Sequence, residues 1–187
     1  LLDAGIRVAR EVGWEALSLR EVARRAGVSH TAAYNHFADK NDLLRSLAIR
    51  AFEQLTADLQ RVVDTGTLRL ADLGVAYLTF AFEHQAEFHF MFQRSLCMPE
   101  GVDDPLATAS LASQAVLHDY LVALQEVGVV GPGDPAALTL VVWSQIHGLT
   151  VILLETPGFA TLSEGGAETL ARHGIDTLMA GIGAPPR

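Results

Sequence analysis

Five hydrogen-bonding side chains fall within seven consecutive positions: His30, Thr31, Tyr34, Asn35 and His36. No carboxylate stands among them. Imidazole, hydroxyl and carboxamide groups both donate and accept, and a short helix carrying them fits the major groove of DNA, where base edges present a readable pattern. Ser29 precedes the cluster as a cap for such a helix. Lys40 follows it at the start of the next helix, where a phosphate can meet both an ammonium and uncapped backbone N–H groups. The candidate DNA contacts are therefore Ser29, His30, Thr31, Tyr34, Asn35, His36 and Lys40, with His30 the most exposed candidate for a base edge. Arg7, Arg10, Arg20, Arg24 and Arg25 cluster nearby as candidate phosphate contacts.

Other chemistries find no matching spacing. Ser29 and His30 are neighbours that a helix turns apart, so they make no catalytic pair. His84 and His89 are five apart and His118 adjoins Asp119; neither places two metal ligands one turn apart on a helix face. Cys97 beside Met98 reads as packing. With no glycine-rich phosphate loop and no carboxylate pair suited to acid/base work, the sequence predicts no enzyme, no metal and no cofactor.

The elements that must position the polar cluster lie just before it. Ser18 can cap a helix whose Glu21, three residues on, reaches back to close a capping box. Val22 and Ala23 give that helix an apolar face, and Gly27 ends it in the left-handed conformation that glycine adopts without a Cβ penalty. Val28 then reads as a buried plug, Ser29 caps a second short helix to about His36, and Phe37 anchors its end. Ala23 and Ala33 are small enough to let the two helices approach closely. This is the pattern of a helix-turn-helix, although an ordinary corner between two helices uses the same residue types.

The run GVSHTAAYNHFADKNDLL, from Gly27, resembles the DNA-binding region of TetR/AcrR-type transcriptional regulators. In those proteins a glycine turn, a short recognition helix, an aromatic pair such as Tyr34 and Phe37, and a lysine opening the next helix occur together. A second resemblance lies further on. Trp143, His147 and Gly148 form W-x-x-x-H-G and, with the preceding YLTFAFEHQAEFHFMF, look like the WHG-type C-terminal domain of a subset of these regulators. Gln85 stands where that subset commonly has proline, which softens the expected kink.

Composition agrees with a folded chain: 50% of residues are hydrophobic and 19% charged. The net charge of −9 argues at first against nucleic acid, but its distribution does not. Residues 1–50 carry eight Lys/Arg against six Asp/Glu, a net of +2, while the remainder carries a net of −11. A mildly basic head before an acidic body is oriented by the DNA field. The small excess leaves open a further basic segment upstream of Leu1. One cysteine and no visible secretory signal point to a reducing compartment, the cytoplasm. No apolar run looks long enough to cross a bilayer; the best, Val141 to Leu154, includes Gln145 and His147.

Helical periodicity covers the whole chain. A first helix from Leu2 ends at Gly13, and Trp14 seals a small core. Asp39 caps a long helix from Lys40 to about Val63, a rod connecting head to body. Helices follow at about Leu68 to His84, Leu106 to Glu126, Ala136 to Glu155 and Glu164 to Met179, with Gly148 allowing a close helix crossing. Pro99 to Pro105 is a loop and the tail GIGAPPR frays. The predicted fold is all-α, about nine helices, with a helix-turn-helix domain over residues 1–48 and an effector-binding and dimerisation domain over 49–187. Phe80, Phe88, Met91, Tyr120, Trp143 and His147 are candidate ligand contacts for a small apolar effector, although such residues also fill ordinary cores. The last two helices carry more apolar surface than one domain can hide, which predicts a homodimer through them. The sequence thus reads as a cytoplasmic, ligand-responsive repressor of a palindromic double-stranded DNA operator, with no membrane. A constitutive regulator without an effector and a helical protein–protein interaction module are the alternatives.

Overall fold

The computed structural model describes residues 1–93, 96, 103–156 and 164–182, and among these described residues nine α-helices are delimited. They are α1 (Leu2–Val12), α2 (Leu19–Ala26), α3 (His30–Tyr34), α4 (Lys40–Val63), α5 (Leu70–Glu83), α6 (Gln85–Met91), α7 (Pro105–Glu126), α8 (Pro135–Glu155) and α9 (Glu164–Ile182). This is the expected all-α architecture. Cys97, residues 99–102 of the expected loop and residues 183–187 of the tail lie outside the described residues. The chain divides into two compact units, residues 1–54 with 84–111, and residues 55–83 with 112–187.

In the first unit, two glycines set the helix ends. Gly13 has φ 80° and stops α1, and Gly27 has φ 71° and stops α2. Gly5 lets α1 approach α4 closely, since a Cβ there would lie 3.2 Å from the Leu47 side chain. Val8, Leu17, Val22, Leu43, Leu44 and Leu47 fill the core between these elements, and Ala23 and Ala33 are both buried. Val28 is not a plug: it is 40% exposed. Its N–H closes back on the Ala23 carbonyl at 3.1 Å, the bond of a left-handed helix end, and that reversal carries its side chain outward. Ser18 does cap α2 through the Glu21 N–H, but the Glu21 carboxylate bonds Arg24 and Arg25, whose guanidinium groups outcompete a backbone N–H for it. Ser29 caps α3 through the Ala32 N–H. That helix ends at Tyr34, short of the expected His36, because the N–H groups of His36 and Phe37 converge on one carbonyl, Ala33, and tighten the last turn.

The unit is completed by α6 and the residues around it. Even without proline at Gln85, the break between α5 and α6 is present at His84, with φ −124° and ψ 43°. Phe88 and Phe52 each set an edge against Phe92, at ring separations of 5.2 and 5.7 Å.

In the second unit, α5, α8 and α9 pack together. The close crossing is at Gly74 of α5 rather than at Gly148: a Cβ on Gly74 would lie 3.1 Å from Ile175 and 3.6 Å from Ile146, whereas one on Gly148 would meet nothing within 4 Å. Gly148 instead sits on an open face. α8 begins at an Asp134 cap with Pro135 in its first turn. It leaves Leu140, Val141 and Ile152 exposed, and α9 adds Leu170. The expectation that no apolar run could span a bilayer also fails. α8 is 21 residues long and apolar enough by length and composition, because its helix starts six residues before Val141; only 22% of its most apolar stretch is buried.

Candidate nucleic-acid interface and effector region

All five polar residues of the recognition segment are exposed, as is Ser29. Buried Ala33 and Phe37 face the other way and fix α3 to the unit. His30 and Tyr34, one turn apart, place their rings 4.6 Å apart and tilted by 54°, so the two side chains form one aromatic edge. Thr31, Asn35 and His36 flank it.

The cations are more committed than the sequence implied. Arg24 and Arg25 bind Glu21, and Arg25 also binds Glu11 through two bonds of 2.8 and 2.5 Å. These guanidinium groups hold the Glu11 and Glu21 carboxyls below the usual carboxylate range. Arg10 is engaged by Glu87. Among the described residues Arg7 and Arg20 are the head arginines without an ion pair. The Lys40 ammonium donates to the Glu15 carbonyl, which leaves it further N–H bonds for a phosphate. The N-terminus of α4 is differently arranged from the expectation: Asp39 accepts from the Asp42 N–H and Asp42 from the Ala38 N–H, so carboxylates already occupy that end. A phosphate near Lys40 meets the ammonium beside two carboxylates, Asp39 and Asp42.

The six candidate effector contacts belong to both units. In the first, Phe88 and Met91 are buried. In the second, Phe80 and Tyr120 are buried, and the Tyr120 hydroxyl donates to the Thr67 carbonyl at 2.8 Å. His147 stacks on Trp143 at 5.1 Å and 20°, and its Nδ1 lies 2.8 Å from the Tyr77 hydroxyl. Burial pushes the Tyr77 hydroxyl pKa well up, opposed by a hydrogen bond from Trp143. Burial likewise lowers the His147 pKa, opposed by the charge of Glu155. The two directions fit one arrangement, a neutral imidazole accepting at Nδ1 from a neutral phenol. An open groove of about 540 Å³ runs along α8 and α9, lined by Gln145, His173, Gly174, Thr177, Leu178 and Gly181, none of them among the six.

Sequence reasoning missed three partners. Tyr77 stands in an otherwise apolar helix, where a tyrosine hydroxyl needs a partner, and that was the available signal. Glu87 and Asp104 are buried carboxylates bound by Arg10 and Arg45. No local spacing announces pairs separated by 77 and 59 positions.

Two known protein families match the chain in succession. Residues 1–47 match the model of the bacterial regulatory proteins of the tetR family, and residues 70–178 match that of the tetracyclin repressor-like C-terminal domain. A helix-turn-helix-type transcriptional regulator of Mycobacterium tuberculosis is 31% identical over 147 residues, 78% of this chain; the chain spans 64% of that relative's length. A protein of unknown function from Rhodococcus sp. RHA1 is 30% identical with a TM-score of 0.82, over 98% of this chain and 93% of that one. The regulator FadR of Bacillus subtilis, solved with stearoyl-CoA, shares the fold at a TM-score of 0.76 over 97% of each chain, with 17% identity. From its helix-turn-helix head to its helical C-terminal region, the chain belongs to the TetR family of bacterial regulatory proteins.

Proposed function

We propose that this protein is a dimeric transcriptional regulator, a repressor that binds a palindromic operator and is released by a small lipophilic effector. The observation that carries the reading is the exposed, acid-free face of α3, capped by Ser29 and held from behind by Ala33 and Phe37. His30, Thr31, Tyr34, Asn35 and His36 read base edges, and Lys40 with Arg7 and Arg20 meets phosphates. The exposed apolar residues of α8 and α9 support pairing of two copies, which sets the two α3 helices one helical turn of DNA apart, roughly 35 Å. Family membership and the helix-turn-helix-type regulator of Mycobacterium tuberculosis support the same assignment. Trp143, His147 and Gly148 support the WHG-type reading of the body, and the cytoplasm is where such a regulator acts.

Release by an effector rests on the apolar and aromatic lining residues Phe80, Phe88, Met91, Tyr120, Trp143 and His147. A constitutive regulator is the second reading, favoured by two observations: Tyr120 bonds the Thr67 carbonyl and His147 bonds Tyr77, so both polar groups are satisfied within the protein.

The test is fluorescence anisotropy of the purified protein on the DNA flanking its own gene, across a salt series. Salt-dependent binding to one palindrome over scrambled duplex is expected. Lys40→Ala should weaken binding to all sequences and lower the salt slope by about 1. Sequence-blind binding with an unchanged slope overturns the reading. With the operator in hand, a screen of lipophilic compounds for release separates the effector-gated form from the constitutive one.

A further inference from the structure

Residues 84–111 lie inside the stretch matched by the C-terminal family model, yet they form one compact unit with residues 1–54. Two Arg–carboxylate pairs join them. Arg10 on α1 donates to Glu87 on α6 from Nη2 at 2.5 Å and from Nε at 3.4 Å, and His84 Nδ1 lies 3.2 Å from the same Nη2. The Glu87 side chain is 5% exposed. Arg45 on α4 donates to Asp104 at 2.5 Å and to the Leu96 carbonyl at 2.6 Å. Asp104 in turn accepts from the Leu106 N–H in the first turn of α7. Its side chain is 3% exposed and that of Arg45 11%.

A buried ion pair such as Arg45–Asp104 is a poor route to stability, since apolar side chains of the same volume hold as well, and Arg10, 48% exposed, gives its pair less still. What each pair supplies here is direction. Phe88, Phe90 and Met91 alone would tolerate sliding and rotation of α6, whereas a guanidinium fork accepts a carboxylate in few orientations. The two pairs hold α6 at Glu87 and the start of α7 at Asp104. They originate on α1 and α4, two helices of the head that carries α2 and α3.

We infer that Arg10–Glu87 and Arg45–Asp104 are positioning pairs: they fix the head, and with it the α3 face, on the 84–111 segment, and so set the half-site spacing that the dimer accepts. This rests on the DNA-binding reading above. The pairs touch no base or phosphate; they act through α3.

The experiment uses the full chain and three operator duplexes, one with the native centre and two with one base pair added or removed. Wild type should prefer the native spacing by about fivefold or more. Glu87→Gln keeps shape but loses the charge, and should flatten that preference to less than about twofold while leaving affinity for an isolated half-site unchanged. The exchange Arg10→Glu with Glu87→Arg should restore the preference. Arg10→Lys, which keeps charge without the fork, serves in place of Glu87→Gln if that protein melts below the assay temperature, and should flatten the preference in the same way. A folded variant that retains the full spacing preference overturns this inference alone. A wild type that binds no duplex overturns the DNA-binding reading, and this inference with it.

Discussion

The exposed face of α3 and the exposed face of α8 are both left uncovered by the folded chain, and they are chemical opposites. On α3 and the turn that follows it the side chains are His30, Thr31, Tyr34, Asn35 and His36; on α8 they include Leu140 at 60% exposure, with Val141 and Ile152 each at 48%. The polar face is solvated at no cost, so it can stand open until a ligand arrives. The apolar face loses roughly 25 cal/mol for each Å² it keeps in water, so it is stable only when something covers it for most of the protein's life. One surface suits a transient partner and the other a standing one, which for a face of this kind is a second copy of itself.

The largest effect follows from placing a charge on the second face. Val141→Asp with Ile152→Asp leaves the protomer's own core untouched, because both side chains point outward. It should leave melting of the protomer nearly unchanged and convert dimer to monomer in sedimentation equilibrium. Losing the second head removes avidity, so operator affinity should fall by about a hundredfold or more. A double variant that still sediments as a dimer would move the pairing surface off α8.

A pair of glycines sharpens the same contrast within one unit. Gly74 faces Ile175 and Ile146 inside the unit, whereas Gly148 lies on the open side of α8. Gly74→Val should force α5 from α9 and cost about 1–3 kcal/mol of stability by denaturant unfolding. Gly148→Ala should raise protomer stability by about 0.5–1 kcal/mol through helix propensity alone, since its Cβ meets nothing in the protomer. If Gly148→Ala instead weakens the dimer, a second copy approaches the α8 backbone at that position.

These glycines also mark how far the sequence could be read. Local signals gave the helices well: the caps at Ser29 and Asp39 and the stop at Gly27 all depend on residues within a turn of one another, and each is where the pattern placed it. Gly148 was assigned a crossing that belongs to Gly74, because period and composition say a residue is small without saying what lies opposite. Val28 failed for a similar reason: the left-handed turn at Gly27 was legible, but not the direction in which it sends the next side chain. Arg10 read as a phosphate contact because its partner Glu87 stands 77 positions away. The polar face of α3 was legible throughout, since exposure is what polar side chains on a short capped helix do by default.

The smallest effect, and the one that bears on His147, is the pH dependence of stability. Its imidazole is lowered from the ordinary 6.5 by burial, the main cause, with Glu155 acting in the opposite direction. As pH falls below 6.5, the unfolded chain takes up a proton at this position before the folded chain does. Stability is therefore fully present above that value, declines as pH falls through the folded pKa, and levels off once both states are protonated. Asp72, lowered chiefly by its bond with Arg172, loses its contribution in a separate and more acidic window. Denaturant midpoints measured between about pH 5.5 and 7.5 should rise with pH in the wild type and rise less in His147→Gln. The difference between the two proteins isolates this residue from the other histidines. His147→Ala then asks the functional question. Lost response to an effector with normal melting assigns His147 to the ligand, whereas a large fall in melting with its pH slope abolished assigns it to the bond with Tyr77, which ties α8 to α5.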